Sequence, residues 1–226
     1  MATLKREKES LSKISDLTEP EIPEVSEEVW NAIRRRINEF EKLGNNGATK
    51  FDFRPFLDLK LEATIESELA FCISTANSSA KAGLRFQKLL EDKEVTKLEV
   101  REIEELLRTA GVRFSRKKAL YIVNALKKFK EIKLPEDEKA RDLLVNEIYG
   151  FGFKEASHFL RNTGRKEFAI LDRHILRWLG VEHKCMSRKR YIEAEKRMQE
   201  IAFKNKLSVA ELDLLVWFSK TKMVLK

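Results

Sequence analysis

The strongest constraint on the fold is the helical spacing of apolar residues, which begins near Ser26 and recurs in nearly every later segment. Apolar side chains at intervals of three and four residues form one face of a helix, whereas a half-buried strand needs strict alternation. No segment shows a convincing alternating run. We therefore predict an all-α fold of about ten helices. Their expected bounds are about Ser26–Leu43, Leu59–Thr75, Ser79–Leu90, Leu98–Thr109, Ser115–Phe129, Pro135–Ile148, Phe153–Asn162, Asp172–Leu179, Ser187–Lys204 and Ser208–Lys220.

The first 25 residues differ in character from the rest of the chain. They are rich in charge and contain Pro20 and Pro23, a composition typical of segments that pack loosely. We predict a charged N-terminal arm over residues 1–25, loosely held and with at most a short helix. Residues 26–226 are expected to form one helical unit, because a chain of this length fits one domain or two closely joined lobes.

The charge balance is basic and permits nucleic-acid binding. Lysine and arginine number 45 against 37 acidic residues, which gives a net charge of +8 and an isoelectric point near 9.4. An excess of this size is compatible with a nucleic-acid partner. A charge-rich surface, such as that of a heat-adapted protein, explains the same composition equally well.

The cysteines, histidines and N-terminus exclude several classes of protein. Cys72 and Cys185 are the only cysteines, too few for the four thiolates of an iron–sulfur cluster and typical of reduced thiols. The three histidines lack zinc-site spacing. Met1–Ser10 has no apolar core for a signal peptide, and no apolar run approaches a membrane span. We expect no metal site and a soluble, cytoplasmic protein located with the chromosome.

The segment from residue 143 to residue 162 has the pattern of two helices joined by a tight turn. Gly150 and Gly152, separated by Phe151, allow the chain to turn sharply. They also leave backbone N–H groups bare at the start of the second helix, where the helix dipole helps to bind phosphate. Such a hairpin grips the DNA backbone without reading its sequence. Glycine-containing turns also join packed helices in proteins with no such role, so the hairpin alone leaves both interpretations open.

Lys154 and Asp172 favour a catalytic interpretation of the hairpin. Lys154 lies in the first turn of the helix that follows, where the dipole and partial burial disfavour a protonated amine and favour a nucleophilic one. Asp172 stands at the start of another helix and is expected to be its N-cap. In a cleft that faces DNA, the same carboxylate can stabilise a cationic sugar or transfer protons.

This pattern resembles the helix-hairpin-helix superfamily of DNA glycosylases, and within it the type 2 8-oxoguanine DNA glycosylase/AP lyase family. The resemblance covers roughly residues 26–226 and implies a two-lobed helical fold with a central DNA-binding cleft. The stretches that carry it are Ser74–Ala80, Arg113–Lys117, Gly152–Asn162, Ile170–Leu176, Glu211–Asp213, Trp217 and Val224–Lys226.

The resemblance implies a bifunctional DNA repair enzyme. The damaged guanine is flipped out of the duplex into a pocket. Lys154 attacks C1′ of the sugar, expels the base and forms a Schiff base, and the strand is nicked 3′ to the abasic site by β-elimination. Asp172 stabilises the oxocarbenium-like sugar and assists proton transfer. No metal or organic cofactor is required, although hairpin carbonyls are compatible with a structural cation.

Further residues acquire expected roles from the same resemblance. Phe114 is expected to stack on the flipped base, Trp217 to line its pocket, and the terminal Lys226 with its carboxylate to help recognise the base. Phe114 as a hydrophobic staple, Trp217 as a core residue and Lys226 as a frayed end are the structural alternatives. The expected DNA contacts are Asn77, Arg113, Arg116, Lys117, Gly150, Gly152, Arg173 and His174. Further candidates for phosphate contacts are Lys118, Arg177, Arg188, Lys189 and Arg190.

Two positions depart from the patterns of the related proteins. Tyr149 stands where many superfamily members have proline, which bears on the rigidity of the hairpin. Lys222 stands where the family usually has glycine, which bears on the last loop.

Two other functions fit the same residues. One is a glycosylase for another damaged base, and the other is a non-catalytic helix-hairpin-helix module, which would have no use for Lys154 and Asp172. The expected partner is double-stranded DNA that contains 8-oxoguanine or an abasic site, bound by a monomer.

Overall fold

The computed structural model of the chain describes Ile14 and residues 17–182 and 186–226. These residues form ten α-helices and one two-stranded sheet, which confirms the all-α class. The helices are α1 (Glu27–Asn46), α2 (Ile65–Thr75), α3 (Ala80–Leu89), α4 (Val100–Thr109), α5 (Ser115–Phe129), α6 (Lys139–Glu147), α7 (Phe153–Asn162), α8 (Arg173–Trp178), α9 (Arg188–Lys204) and α10 (Val209–Thr221). The strands are β1 (Ala48–Asp52) and β2 (Lys60–Thr64), and a 3-10 turn spans Val95–Lys97. Within the described ranges, no helix is long and apolar enough to cross a membrane.

Serine residues begin several helices, as the sequence predicted. The hydroxyl oxygens of Ser79 and Ser187 accept hydrogen bonds from backbone amides in the first turns of α3 and α9. Ser208 and Glu211 form the predicted capping box at the start of α10, each side chain accepting a hydrogen bond from the other's amide at 3.2 and 2.8 Å. These bonds satisfy amides that have no partner inside the helix.

The prediction that α1 ends at about Leu43 is wrong. The helix continues to Asn46 and ends at Gly47, whose φ of +75° is left-handed. Gly44 serves a different purpose, because a Cβ there would lie 2.0 Å from the carbonyl oxygen of Thr163 at the end of α7. The absence of a side chain therefore allows α1 and α7 to approach closely.

The sequence did not predict the sheet. β1 and β2 pair antiparallel, with Phe51 opposite Leu61 and Thr49 opposite Ala63. The predicted helix over residues 59–75 therefore begins too early, and α2 starts only after its cap at Thr64. In β2, buried and exposed residues alternate over five positions. So short a run in front of an apolar helix is not distinguished from a helical turn by spacing alone.

The predicted helix start at Pro135 is also wrong. α6 begins at Lys139, and the carboxylate of Asp137 accepts a hydrogen bond from the amide of Lys139 at 3.0 Å. Short acidic side chains compete in this way with helical hydrogen bonds. The turn at Asp137 delays the helix by one turn.

Two clusters of buried residues give the molecule two lobes. The larger cluster joins α1–α7, the sheet and one face of α10. The smaller cluster joins α8, α9, the other face of α10 and Ile14. Leu214 and Leu215 of α10 belong to the larger cluster, and Leu212 and Val216 to the smaller one. α10 is therefore the shared element between the lobes.

The part of the N-terminal arm that the structure describes is not loosely held, contrary to the prediction. Arg197 of α9 donates hydrogen bonds to the carbonyl oxygens of Ile14, Leu17 and Thr18 at 2.6–2.8 Å. The indole N–H of Trp178 donates to the carbonyl oxygen of Glu21 at 3.0 Å. Ile14, Leu17, Thr18 and Glu21 thus contact the smaller lobe, while Ile22 packs against both clusters and Val25 against the larger one. Residues 1–13 and 15–16 of the predicted arm lie outside the described residues.

The backbone at the end of α10 is left-handed at Lys222. Lys222 has φ +60° and ψ +25°, and its amide donates to the carbonyl oxygen of Phe218 at 2.7 Å. This is the left-handed helix end that glycine adopts most readily. Beyond it, Val224 and Leu225 are buried. Lys222 thus adopts the left-handed conformation just before a buried C-terminal segment.

We predict that Lys222→Gly raises the free energy of unfolding by about 0.5–1 kcal/mol, because glycine has no Cβ to clash in the left-handed region. The control is Lys220→Gly, the same change inside α10, which should lower the free energy of unfolding by about 1 kcal/mol. Urea unfolding of both variants beside the wild type measures the two effects. A Lys222→Gly protein less stable than the wild type would contradict the prediction.

Candidate active site

The turn between α6 and α7 has a backbone that only glycine permits. Gly150 has φ +100°, and a Cβ there would lie 2.6 Å from Cδ2 of Tyr121 on α5. Tyr149 is 70% exposed, and its ring meets that of Tyr121 edge to face, with centroids 4.8 Å apart. An aromatic pair therefore supports the hairpin at Tyr149.

Some amides of the hairpin are free and others are not. The N–H groups of Phe151 and Gly152 donate to the carbonyl oxygen of Ile148 and the carboxylate of Glu155, at 3.1 and 3.2 Å. The prediction that the Gly152 amide is bare is therefore wrong. Within the part of the chain that the structure describes, the amides of Gly150, Phe153 and Lys154 donate to no other group. These free amides, at the positive end of α7, can bind an anion such as phosphate.

Lys154 is the second residue of α7 and is half-buried. Other cations lie near it. Burial, together with the positive charges of Arg113 and Lys154, lowers the pKa of Lys118 to about 8, although Glu155 opposes this. Burial also holds the pKa of His158, one turn further along α7, well below its usual range, and Lys154 contributes. The Lys154 amine therefore lies in a positive environment.

Asp172 is the N-cap of α8, as predicted. Its Oδ1 accepts hydrogen bonds from the amides of His174 and Ile175 at 2.7 and 2.9 Å. Its Oδ2 accepts none from the described residues. The carboxylate is half-buried. One oxygen thus fixes the helix start, and the other is free for chemistry.

Two loops carry the predicted DNA-contacting residues of the larger lobe and are joined by a hydrogen bond. The amide of Arg113 donates to the hydroxyl oxygen of Ser78 at 3.3 Å, which ties the loop of Phe114 to that of Asn77. Phe114 and Asn77 both have left-handed backbones, with φ of +60° and +52°. Phe114 is 59% exposed, and the guanidinium of Arg113 lies 5.3 Å from its ring centroid. An exposed aromatic ring in a strained loop is suited to stacking rather than to core packing.

The other two residues predicted for base recognition are less exposed. Trp217 is half-buried and packs against the larger cluster. The Lys226 ammonium is buried, donates to Glu68 and Gln87, and lies 4.0 Å from the ring centroid of Phe51. Burial lowers its pKa to about 8, although Glu68 opposes this. The Lys226 amine is thus engaged inside the larger lobe.

The predicted basic contacts divide into exposed and engaged residues. Arg116, Lys117 and Arg173 are exposed, and His174 is half-buried. Lys118 is wrong as a phosphate contact, because its ammonium is buried and donates to the carbonyl oxygen of Ser74 at 2.7 Å.

The sequence predicts no metal site, and the structure describes only some of the side chains that could bind a metal ion. No group of three or more His, Cys, Asp or Glu residues suited to a metal ion occurs among the described residues. Cys72 is buried, which raises the pKa of its thiol well above the usual value. Cys185 and His183 lie outside the described residues.

A set of buried polar residues was not predicted from the sequence. Their one signal in the sequence is a charged residue inside an otherwise apolar helix, such as Glu68 in α2 and Asp213 in α10, because such a charge requires a buried partner. The buried polar residues are Glu68, Gln87, Arg141, Arg161, Asn162, Glu195 and Asp213.

Comparison with known proteins agrees with this geometry. A family model described as 8-oxoguanine DNA glycosylase matches residues 33–207. The 8-oxoguanine DNA glycosylase/AP lyase of Aquifex aeolicus is 45% identical over 221 residues, covering 91% of this chain and 98% of that protein. The protein of the same name from Methanocaldococcus jannaschii is 39% identical over 227 residues, covering 96% and 99%.

A solved structure extends the similarity to three dimensions. The Methanocaldococcus jannaschii 8-oxoguanine glycosylase/lyase in complex with a 15mer DNA containing 8-oxoguanine superposes with a TM-score of 0.75 at 39% identity, covering 88% of this chain and 94% of that one. The chain therefore belongs to the 8-oxoguanine DNA glycosylase family.

Proposed function

We propose that this chain removes 8-oxoguanine from double-stranded DNA and then cleaves the strand at the abasic site. The observation that carries the proposal is that Lys154 lies at the positive end of α7, while Asp172 caps α8 with Oδ1 and keeps Oδ2 free of hydrogen bonds from the described residues. The names of the related proteins, which state both glycosylase and lyase activity, support it.

The proposed reaction begins at C1′ of the flipped nucleotide. The Nζ lone pair of Lys154 forms a bond to C1′ as the bond from C1′ to the base breaks, and the base takes up a proton as it leaves. A proton then passes from the nitrogen to O4′ as the C1′–O4′ bond breaks, so the sugar ring opens and the nitrogen lone pair forms the Schiff base. Removal of a 2′ proton then expels the 3′ phosphate by β-elimination. The first of these reaction steps requires a neutral amine as the nucleophile.

Asp172 is proposed to act electrostatically and in proton transfer. Its free Oδ2 is suited to stabilise the positive charge that develops on the sugar, and carboxylates also accept protons in such reactions. The cap bonds to Oδ1 hold the carboxylate in one orientation, which reduces the reorganisation needed during the reaction.

The surrounding residues are proposed to hold the DNA. The exposed ring of Phe114 is suited to stack on the flipped base, with Trp217 and Lys226 contributing to its pocket, and Asn77 to occupy the gap left in the duplex. The free amides at the hairpin are suited to one phosphate. The proposed contacts with the DNA backbone are Arg113, Arg116, Lys117, Gly150, Arg173 and His174.

The proposed reaction uses only groups of this chain and water. An amine nucleophile and a carboxylate supply the chemistry, so no metal or organic cofactor is required. The carbonyl oxygen of Ile148, which accepts from Phe151, belongs to the turn proposed to accommodate a structural cation. We further propose that the protein acts as a monomer and is located with the chromosome.

We predict that Lys154→Gln abolishes covalent trapping by borohydride on a duplex with one 8-oxoguanine, because glutamine cannot form a Schiff base. The base-excision rate should fall by roughly 10³-fold or more, while duplex binding persists. The control is Lys139→Gln, which removes a lysine from the first turn of α6 and should trap like the wild type. All reactions contain EDTA, so failure of the wild type to trap until a metal is added would contradict the cofactor proposal.

The same trapping experiment is run on three duplexes: one with 8-oxoguanine, one undamaged and one with an abasic site. Comparison of the three separates the alternative functions. Trapping on the 8-oxoguanine duplex and not on undamaged DNA supports the proposal. Trapping on the abasic duplex alone would support the lyase activity and indicate that the enzyme excises a damaged base other than 8-oxoguanine. Binding without trapping on any duplex would indicate the non-catalytic module.

We also predict that Asp172→Asn separates catalysis from stability. The asparagine carbonyl oxygen caps a helix about as well as aspartate, so the free energy of unfolding should change little. Loss of the charge should lower the single-turnover excision rate by roughly 10²- to 10³-fold. Asp172→Ala, which removes the cap as well, should lose about 1 kcal/mol of stability in addition. An Asp172→Asn enzyme with the wild-type rate would exclude a catalytic charge at this position.

A further inference from the structure

The segment that leads into Asp172 has no regular secondary structure, yet side chains bind three of its successive amides. The amide of Ala169 donates to Glu195 at 3.2 Å, that of Ile170 to Asp213 at 2.6 Å, and that of Leu171 to the hydroxyl oxygen of Tyr191 at 3.4 Å. The Tyr191 hydroxyl also donates to the carbonyl oxygen of Ala169 at 2.8 Å.

These three side chains, Tyr191, Glu195 and Asp213, form what we call the backbone cradle. All three are buried, and they come from two helices, α9 and α10, that follow Asp172 in the chain. An irregular buried segment must bind its amides to some partner, because an unpaired buried amide is costly. The cradle meets this need and restricts the segment to one path.

Each carboxylate of the cradle is also paired with an arginine from the hairpin. Glu195 binds Arg141 of α6 at 2.6 Å, and Asp213 binds Arg161 of α7 at 3.1 Å. Arg161 lies on the same helix as Lys154, two turns further along. The cradle therefore connects the helix of the proposed nucleophile to the segment of the proposed carboxylate through buried bonds alone.

Burial disfavours the charged forms of the two carboxylates in the backbone cradle. Burial raises the pKa of Asp213 to about 6, although Arg161 and the Ile170 amide lower it, while Asp172 raises it. Burial likewise raises the pKa of Glu195 against Arg141 and the Ala169 amide, with Glu138 raising it slightly. Apolar residues often replace buried ion pairs at no loss of stability, so stability alone does not account for this arrangement.

We propose that Tyr191, Glu195 and Asp213 are positioning residues that orient Asp172 relative to Lys154 through the backbone of residues 169–171. This inference rests on the proposed function and adds residues that touch neither the DNA nor the reacting atoms. A displacement on the order of 1 Å of a catalytic group is enough to lower a rate by roughly 100-fold.

Tyr191→Phe is the sharpest test, because it removes one oxygen and keeps the ring. The centroid of this ring lies 5.6 Å from the ring centroid of Phe153. The single-turnover excision rate is expected to fall roughly 10-fold or more, with the KM for the damaged duplex unchanged. Asp213→Asn should act in the same direction.

The matched control is Glu39→Gln in the larger lobe. Glu39 is a buried carboxylate that pairs with Arg36 and accepts the amide of Asp52 at 3.1 Å, as the cradle carboxylates do for their own segment. It is expected to lower the melting temperature without changing the excision rate well below that temperature. A rate loss in Glu39→Gln equal to that in Asp213→Asn would overturn the proposal, because general destabilisation would then explain both.

A double-mutant cycle separates positioning from a merely structural role. If Tyr191 acts through Asp172, then Tyr191→Phe should lower the rate of the wild type but not the residual rate of Asp172→Asn. Equal losses in both backgrounds would overturn the proposal, as would a Tyr191→Phe enzyme with the wild-type rate. The function is tested separately by trapping in the wild type and in Lys154→Gln, so either idea can fail while the other stands.

Discussion

The buried ion pair between Arg161 and Asp213 is the interaction on which the rest of the site depends. It joins α7 to α10, and it continues on both sides through buried hydrogen bonds. Asp213 accepts the amide of Ile170, and Arg161 donates to Asn162, whose side chain donates to Glu68 at 2.6 Å. Breaking one partner of such a pair leaves an uncompensated buried charge, which costs about 3–5 kcal/mol. A single connected network therefore holds the core of the larger lobe, the hairpin helix and the segment before Asp172.

The second constraint is close contact between backbones, which depends on two glycines. Gly44 brings α1 against the end of α7, and Gly150 brings the hairpin against Tyr121. The first contact supports the C-terminal end of α7, and the second supports the turn before its N-terminal end. Fixed at both ends, α7 presents Lys154 and its free amides toward solvent at a defined place. Phe114 and Tyr149, which remain exposed beside this core, are then available to a partner.

Features that follow from local chemistry could be predicted from the sequence. Helical spacing predicted ten helices, and the Ser208–Glu211 capping box predicted the start of α10, because each depends on residues within about one turn. The cap at Asp172 and the glycine turn of the hairpin were predicted for the same reason. Features that depend on a partner elsewhere in the chain were missed or wrong. They include the pairing of β1 with β2, the contacts of Leu17, Thr18 and Glu21 with the smaller lobe, and the burial of Lys118 and Lys226.

The sequence by itself thus determined the fold class, the family and the two residues proposed for the chemistry. Helical periodicity, helix caps and the spacing from Gly150 through Lys154 to Asp172 all depend on residues that are close together in the sequence. Tertiary structure alone decided which charges are buried together and how the two proposed catalytic elements are held. Arg161 and Asp213 are 52 residues apart, and the sequence shows each only as a charge in a helix. Their contact arises because two amphipathic helices bury their faces in one core, where a charge without a partner is not tolerated.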